Sequence, residues 1–156
     1  MRDPRQLPER PFLKTHGLAP RTLPDDVRVI FVFGDPLHAI VSTMRKRFNG
    51  GHFRNCGYES DQPPDIYSRD ELHYEQIFDS WMKPQRYPVL AVRYERLQAH
   101  ESELSRFLER RVRLLDNRSR TTRVPRSLRQ QLMPAYGEFV RKVDASPDIS
   151  VRGPVA

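Results

Sequence analysis

The sequence predicts an α/β fold in which a parallel sheet is flanked by helices. Three observations carry that prediction. Val29-Ile30-Phe31-Val32-Phe33 and Val89-Leu90-Ala91-Val92 are near-continuous β-branched and apolar runs, the pattern of strands buried on both faces. Each run sits beside stretches of helical period, and the order strand, helix, helix, strand, helix, helix favours parallel crossover connections. The chain has 156 residues and 37% hydrophobic content, enough for one domain with a real core.

Residues 1–11 carry three prolines and several charges and read as an irregular arm. Pro11-Phe12-Leu13-Lys14-Thr15-His16 reads as a short strand with a polar tip, followed by a loop through Gly17, Pro20 and Pro24. After the strand at Val29–Phe33 the period changes: Leu37, Ile40, Val41, Met44 and Phe48 recur at helical spacing. Asp35 and Pro36 stand where an N-cap and a first helical residue belong. Asn49-Gly50-Gly51 is a natural stop. Residues 50–70 read as a long loop, of a length that is commonly functional.

A second helix is predicted from Tyr74, Ile77, Phe78 and Trp81, which form one apolar face, and Pro84 ends it. Tyr87 to Tyr94 then forms the second buried strand. A third helix starts near His100, with Glu101 and Glu103 in its first turn and Leu104, Phe107 and Leu108 facing the core. The last helix starts near Ser127, whose spacing to Gln130 fits a capping box, and buries Leu128, Leu132, Tyr136, Phe139, Val140 and Val143. The domain therefore spans residues 12–145, and residues 146–156 read as an irregular tail.

The charge balance, +7, points to anionic ligands or partners. A single cysteine, Cys56, precludes an intramolecular disulfide and argues against a cysteine-based metal site, so no metal is expected. Residues Met1 to Arg10 lack an apolar signal segment, and no stretch has the length of a membrane span. A cytoplasmic location is the resulting expectation, with no membrane partner.

A buried strand that turns directly into a capped helix is where α/β proteins bind anions, because free amides and the helix dipole converge there. On that helix His38, Ser42 and Arg45 share one stripe, and a serine and an arginine one turn apart could seat a phosphate. The plain reading, a solvated flank of an amphipathic helix, is favoured on pattern alone. Lys14 and His16 pair a cation with a general-base candidate on one side of an extended segment. His52 and Cys56 do not make a metal site, and His73 and His100 read as exposed. Trp81 reads as core, and Tyr94 as packed or hydrogen-bonded at a strand end.

Read together, these pieces resemble the sulfotransferase family. The resemblance runs over roughly residues 12–110. It comprises Lys14-Thr15-His16, a proline-bearing loop, the strand Val29–Phe33 and a helix carrying Ser42. It continues with the Trp81 helix, Pro88-Val89-Leu90-Ala91-Val92-Arg93-Tyr94-Glu95-Arg96-Leu97 as an apolar strand ending Tyr-Glu-x-Leu, and a helix closing at Phe107-Leu108-Glu109. The final helix with Tyr136 and Pro147-Asp148 is similar to the close of some divergent members.

The resemblance implies a truncated, P-loop-type three-layer architecture and a donor, 3′-phosphoadenosine 5′-phosphosulfate. It implies transfer of the sulfuryl group to a hydroxyl or amine on a small molecule or glycan. By position, His16 is the general base, Lys14 contacts the transferred group and Ser42 binds the 3′-phosphate. Where the common pattern has an arginine, this chain has Gly34 before Asp35-Pro36; Arg45 could supply that charge, and Asp35 would turn its carboxylate onto the helix amides. The Gly-rich 5′-phosphosulfate loop has no counterpart here, and neither does the C-terminal Gly-rich donor segment. Arg118, Arg120 and Arg123 lie in the latter's region and are candidates for the 3′-phosphate. Losing the strand of that loop leaves an apolar sheet edge for an oligomer or partner to cover.

A second reading is a non-catalytic basic module. Residues 106–129 hold nine arginines against Glu109 and Asp116, a cluster suited to nucleic acid or a sulfated glycan. Nucleic acid is the less expected partner, because the cluster lacks interleaved aromatics. A phosphate-transferring P-loop relative is disfavoured because no Gly-x-x-x-x-Gly-Lys sequence occurs.

Overall fold

The computed structural model describes residues 13–24, 26–45, 53–54, 56–60, 62, 64–115 and 123–154, without the side chains of Met44 and Arg45. It is a mixed α/β structure. The described elements run β1 (Val29–Phe33), α1 (Pro36–Arg45), α2 (Tyr74–Met82), β2 (Val89–Arg93), two single 3₁₀ turns (Tyr94–Arg96 and Gln98–His100), α3 (Glu101–Phe107), α4 (Arg126–Asp144) and β3 (Ile149–Arg152).

The sheet order is β1-β2-β3. β1 and β2 are parallel in the register Val29↔Val89 to Phe33↔Arg93, as their apolar runs predict. β2 is buried from Val89 to Val92, but β1 buries only Phe33 and exposes Val32, so the expectation of burial on both faces is corrected for β1. β3 is antiparallel to β2, so the sheet is mixed, and the irregular tail expected from residue 146 onward contains a strand. Four residues between Pro147 and Pro154 give too short an alternation to read as a strand. What fixes them is tertiary: Arg93 donates its backbone N–H to Asp148 O at 2.7 Å and its Nε to Asp148 Oδ1 at 2.9 Å. The same guanidinium donates to Val143 O and Ser146 O and lies over the Phe33 ring.

Helices cover both faces of the sheet. Phe33 and Ala91 face a core built with Leu37, Ile40 and Val41 of α1, Phe78 of α2, and Leu132, Tyr136, Phe139, Val140 and Val143 of α4. Trp81, Tyr87 and Val89 extend that layer toward the N-terminal ends of the strands. Leu90 and Val92 point the other way, onto Leu104 of α3 and the half-buried Phe107, Val112 and Leu114. Strand alternation thus splits one apolar run between two cores.

Two further expectations are corrected. Leu13–His16 is not a strand; Thr15 Oγ1 accepts the Gly17 N–H at 3.1 Å, a local turn that bends the segment away from extended pairing. The Ser127 capping box does not form either. α4 starts one residue earlier, with Pro125 at the N-cap and no side-chain cap, and Arg129 N–H closes the first turn on Pro125 O. Asn49-Gly50-Gly51, the expected end of α1, and His52 lie outside the described residues. Within the long loop, Phe53, Cys56 and Ile66 are buried in the main core, and the Tyr136 hydroxyl donates to Ile66 O at 2.8 Å.

Candidate functional site

The parallel pair delivers the C-terminal ends of β1 and β2 to one edge of the sheet, the edge at which α/β folds bind ligands. β1 runs out at Phe33 and the chain turns through Gly34 and Asp35 into α1. Asp35 caps that helix as its position predicts: Oδ1 accepts the N–H groups of Leu37 at 2.8 Å and His38 at 3.3 Å. β2 runs out at Arg93, and Tyr94 and Glu95 follow in a 3₁₀ turn.

Glu95 reaches across to the neighbouring turn. Its Oε1 lies 3.4 Å from the Asp35 backbone nitrogen. A β-carbon on Gly34 would stand 2.9 Å from Glu95 Oε1, 3.1 Å from Oε2 and 3.3 Å from Tyr94 Cβ. The glycine is what lets the carboxylate lie flat against the backbone. Sequence reasoning missed Glu95 as a site residue; the signal available was a glycine ending β1 together with an acid two residues past the end of β2.

A donor phosphate does not fit this turn. The amides that would receive an anion are taken up by Asp35 and Glu95, and both groups bring negative charge to the place where the phosphate would sit. Ser42 is exposed and stands about 9 Å further along α1 than Pro36, at 1.5 Å per residue. His38 on the same stripe is half-buried. The neighbouring Thr43 turns inward, its hydroxyl 3.0 Å from Tyr74 Oη, while Arg45 is the last residue of α1. Burial pushes the Tyr74 phenol up to about 12, against the opposing pull of the Thr43 hydrogen bond.

The Lys14–His16 segment is anchored elsewhere. Trp81 Nε1 donates to Gly17 O at 3.0 Å, Ala19 N–H to Ser80 Oγ at 3.0 Å, and the Tyr87 hydroxyl to Pro20 O at 2.7 Å. Trp81 and Tyr87 cluster with Val89, the first residue of β2, so these anchors lie toward the opposite end of the sheet from Glu95. Lys14 is exposed and His16 half-buried. Beside the same segment an open groove of about 500 Å³ is lined by Leu18 and Ala19 and, from the α2 side, by Asp70, His73, Asp79 and Lys83.

The structure therefore brings Gly34, Asp35 and Glu95 together. It holds Ser42 two turns away and ties the segment that follows His16 to α2. Arg123 is exposed three residues before α4, and Arg118 and Arg120 lie outside the described residues. No cluster of three or more metal-ligating side chains occurs among the described residues. Among those residues, no helix is long and apolar enough to cross a membrane.

No family model, curated protein or solved structure matches this chain.

Proposed function

We propose that the chain is a sulfotransferase-like domain that transfers a sulfuryl group from 3′-phosphoadenosine 5′-phosphosulfate to a hydroxyl or amine acceptor. One observation supports this reading above the others. Two segments that carry the resemblance, the strand Val29–Phe33 leading to the Ser42 helix and the strand closing in Tyr94-Glu95, lie side by side as parallel neighbours. That strand order and direction are what the resemblance implies for the nucleotide half of the fold.

In this reading the donor supplies the group that is transferred. The chain supplies His16 as the base that takes the acceptor proton, Lys14 as the cation beside it, and Ser42 with Arg45 toward the 3′-phosphate. No donor contact is assigned to the β1–α1 turn, where two carboxylates stand.

Thermal unfolding in the presence of adenosine 3′,5′-bisphosphate tests the reading. A ligand at a hundred times its Kd stabilises by about 2.7 kcal/mol, a rise of several degrees for a domain of this size. An unchanged midpoint at millimolar ligand removes donor binding from the account.

The second reading is a polyanion-binding module, and one observation favours it. Arg106, Arg111, Arg113, Arg123, Arg126 and Arg129 are all exposed, while Glu109 is held by Arg28 in a 2.5 Å ion pair. Its signature is binding to a sulfated glycan that weakens steeply with salt and is indifferent to the bisphosphate.

A further inference from the structure

Residues 110–115 follow α3 and run back along it. Arg110 N–H donates to Ser105 O at 3.1 Å, Val112 N–H to Ser105 Oγ at 3.0 Å and Leu114 N–H to Glu101 Oε2 at 2.8 Å. Gln98 Nε2 donates to Leu115 O at 3.3 Å. The amide bonds fall on alternate residues, as along a strand, although α3 receives them. Val112 and Leu114 pack against the core of Leu90, Val92 and Leu104, while Arg111 and Arg113 alternate with them and are exposed.

We propose that Arg111 and Arg113 seat a sulfated glycan chain; the inference rests on the second reading above, polyanion binding, and gives it a surface and an occupant. Residues 105–115 hold four arginines and one acid, Glu109, which is paired with Arg28. In α3 beside them, Glu101 is engaged by the Leu114 N–H and Glu103 by His100 Nδ1 at 3.3 Å. These carboxylates are turned onto groups of the chain itself, and the outward charge of the strip is positive.

Alternate residues of an extended segment stand about 7 Å apart on one side, so the two guanidinium groups meet successive anionic groups of a single chain. A guanidinium fork suits a sulfate or carboxylate by two parallel hydrogen bonds. Because the backbone beneath is already fastened to α3, binding orders the side chains alone. Nucleic acid fits less well. Phe107, the single aromatic of residues 105–115, packs half-buried against the Leu90–Leu104 core and offers bases no face to stack on. The fold also divides the arginine-rich stretch, since Arg111 and Arg113 stand on the α3 side of the sheet whereas Arg126 and Arg129 belong to α4, on the other.

Calorimetry of the full chain with a heparin-derived octasaccharide, at several salt concentrations, tests this. Arg111→Gln/Arg113→Gln, at exposed positions, is expected to melt like the wild type. It should bind about tenfold more weakly or worse, with a shallower dependence on salt. Arg126→Gln/Arg129→Gln removes the same charge from α4 and is expected to lose about threefold or less. Equal losses in the two variants, or a larger loss from α4, overturn the strip and leave polyanion binding in place. A wild type without affinity for the octasaccharide at physiological salt overturns both. Tighter binding of single-stranded DNA of equal charge overturns the glycan as the occupant.

Discussion

The Glu95 carboxylate lies against Gly34, 2.9 Å and 3.1 Å from the point where a β-carbon would stand, and 3.4 Å from the nitrogen of Asp35. The two residues explain each other: the glycine makes room, and the carboxylate occupies the room. With Asp35 capping α1 beside it, the turn carries two carboxylates where an anion-binding turn carries none. Glu95→Gln keeps the hydrogen-bond acceptor and removes one of the charges. Affinity for adenosine 3′,5′-bisphosphate, measured by calorimetry, should rise by on the order of tenfold if the nucleotide binds at this edge. Equal affinities in the two proteins would place the nucleotide away from Glu95.

Trp81 fixes the segment that carries the base candidate. Its Nε1 donates to Gly17 O while its ring stacks on Phe31 at 5.9 Å between centroids. Trp81→Phe keeps an aromatic ring in the core and loses the donor, leaving Gly17 O to water. A stability loss of about 1 kcal/mol is expected, together with faster proteolysis within residues 13–24. Proteolysis spread evenly over the chain would show that the bond does not hold this segment.

Gly153 is required by space and conformation together. Its φ is +87°, and a β-carbon there would meet Tyr87 O at 2.3 Å, a backbone atom that cannot swing aside. Gly57, at φ +83°, has nothing within 4 Å of its β-carbon position. Gly153→Ala should therefore cost about 2–4 kcal/mol and Gly57→Ala about 1 kcal/mol, read from chemical denaturation midpoints. Equal losses at the two sites would refute the steric part of the argument.

Alkaline pH should unfold the protein through its buried tyrosines. Burial holds the Tyr74 phenol at about 12 and pushes Tyr136 up as well, with Asp70 adding to both. An acid whose folded pKa lies above its unfolded value of 10 keeps its proton longer in the folded state. The unfolded chain then binds fewer protons above pH 10, and stability falls from there toward pH 12. Below pH 10 the tyrosines contribute no pH dependence. Tyr74→Phe should flatten part of the fall, measured as unfolding free energy against pH with tyrosinate absorbance as the second probe. A parallel fall in Tyr74→Phe would assign the effect to other groups.

Much of the fold could be read from local pattern because its cause is local. The apolar run of β2, the Asp35 cap and the α4 stripe behave as their spacing requires, whereas β1, read as buried on both faces, buries only Phe33 and exposes Val32. What escaped the sequence was set by contacts distant along the chain. β3 is tied to the sheet through Arg93 and Asp148, a partner 55 residues away, and Leu13–His16 has no neighbouring strand among the described residues. At the site, Asp35 was legible as a cap, whereas Glu95 acquired its place only through the β1–β2 pairing, which no single stretch encodes. Likewise, the Trp81 bond to Gly17 gives no sign in the order Lys14-Thr15-His16.

The hold of Arg93 on the chain beyond α4 has a consequence for synthesis. During translation β1 and β2 leave the ribosome well before residues 143–152, so for that interval the guanidinium lacks all three of its oxygen partners and β2 keeps a bare apolar edge. At about 5–20 residues per second the interval between Arg93 and Asp148 lasts seconds, which is long for a β-edge in a crowded cell. Among the described strands β3, made after β1 and β2, thus shields the middle one, and its arrival closes that edge.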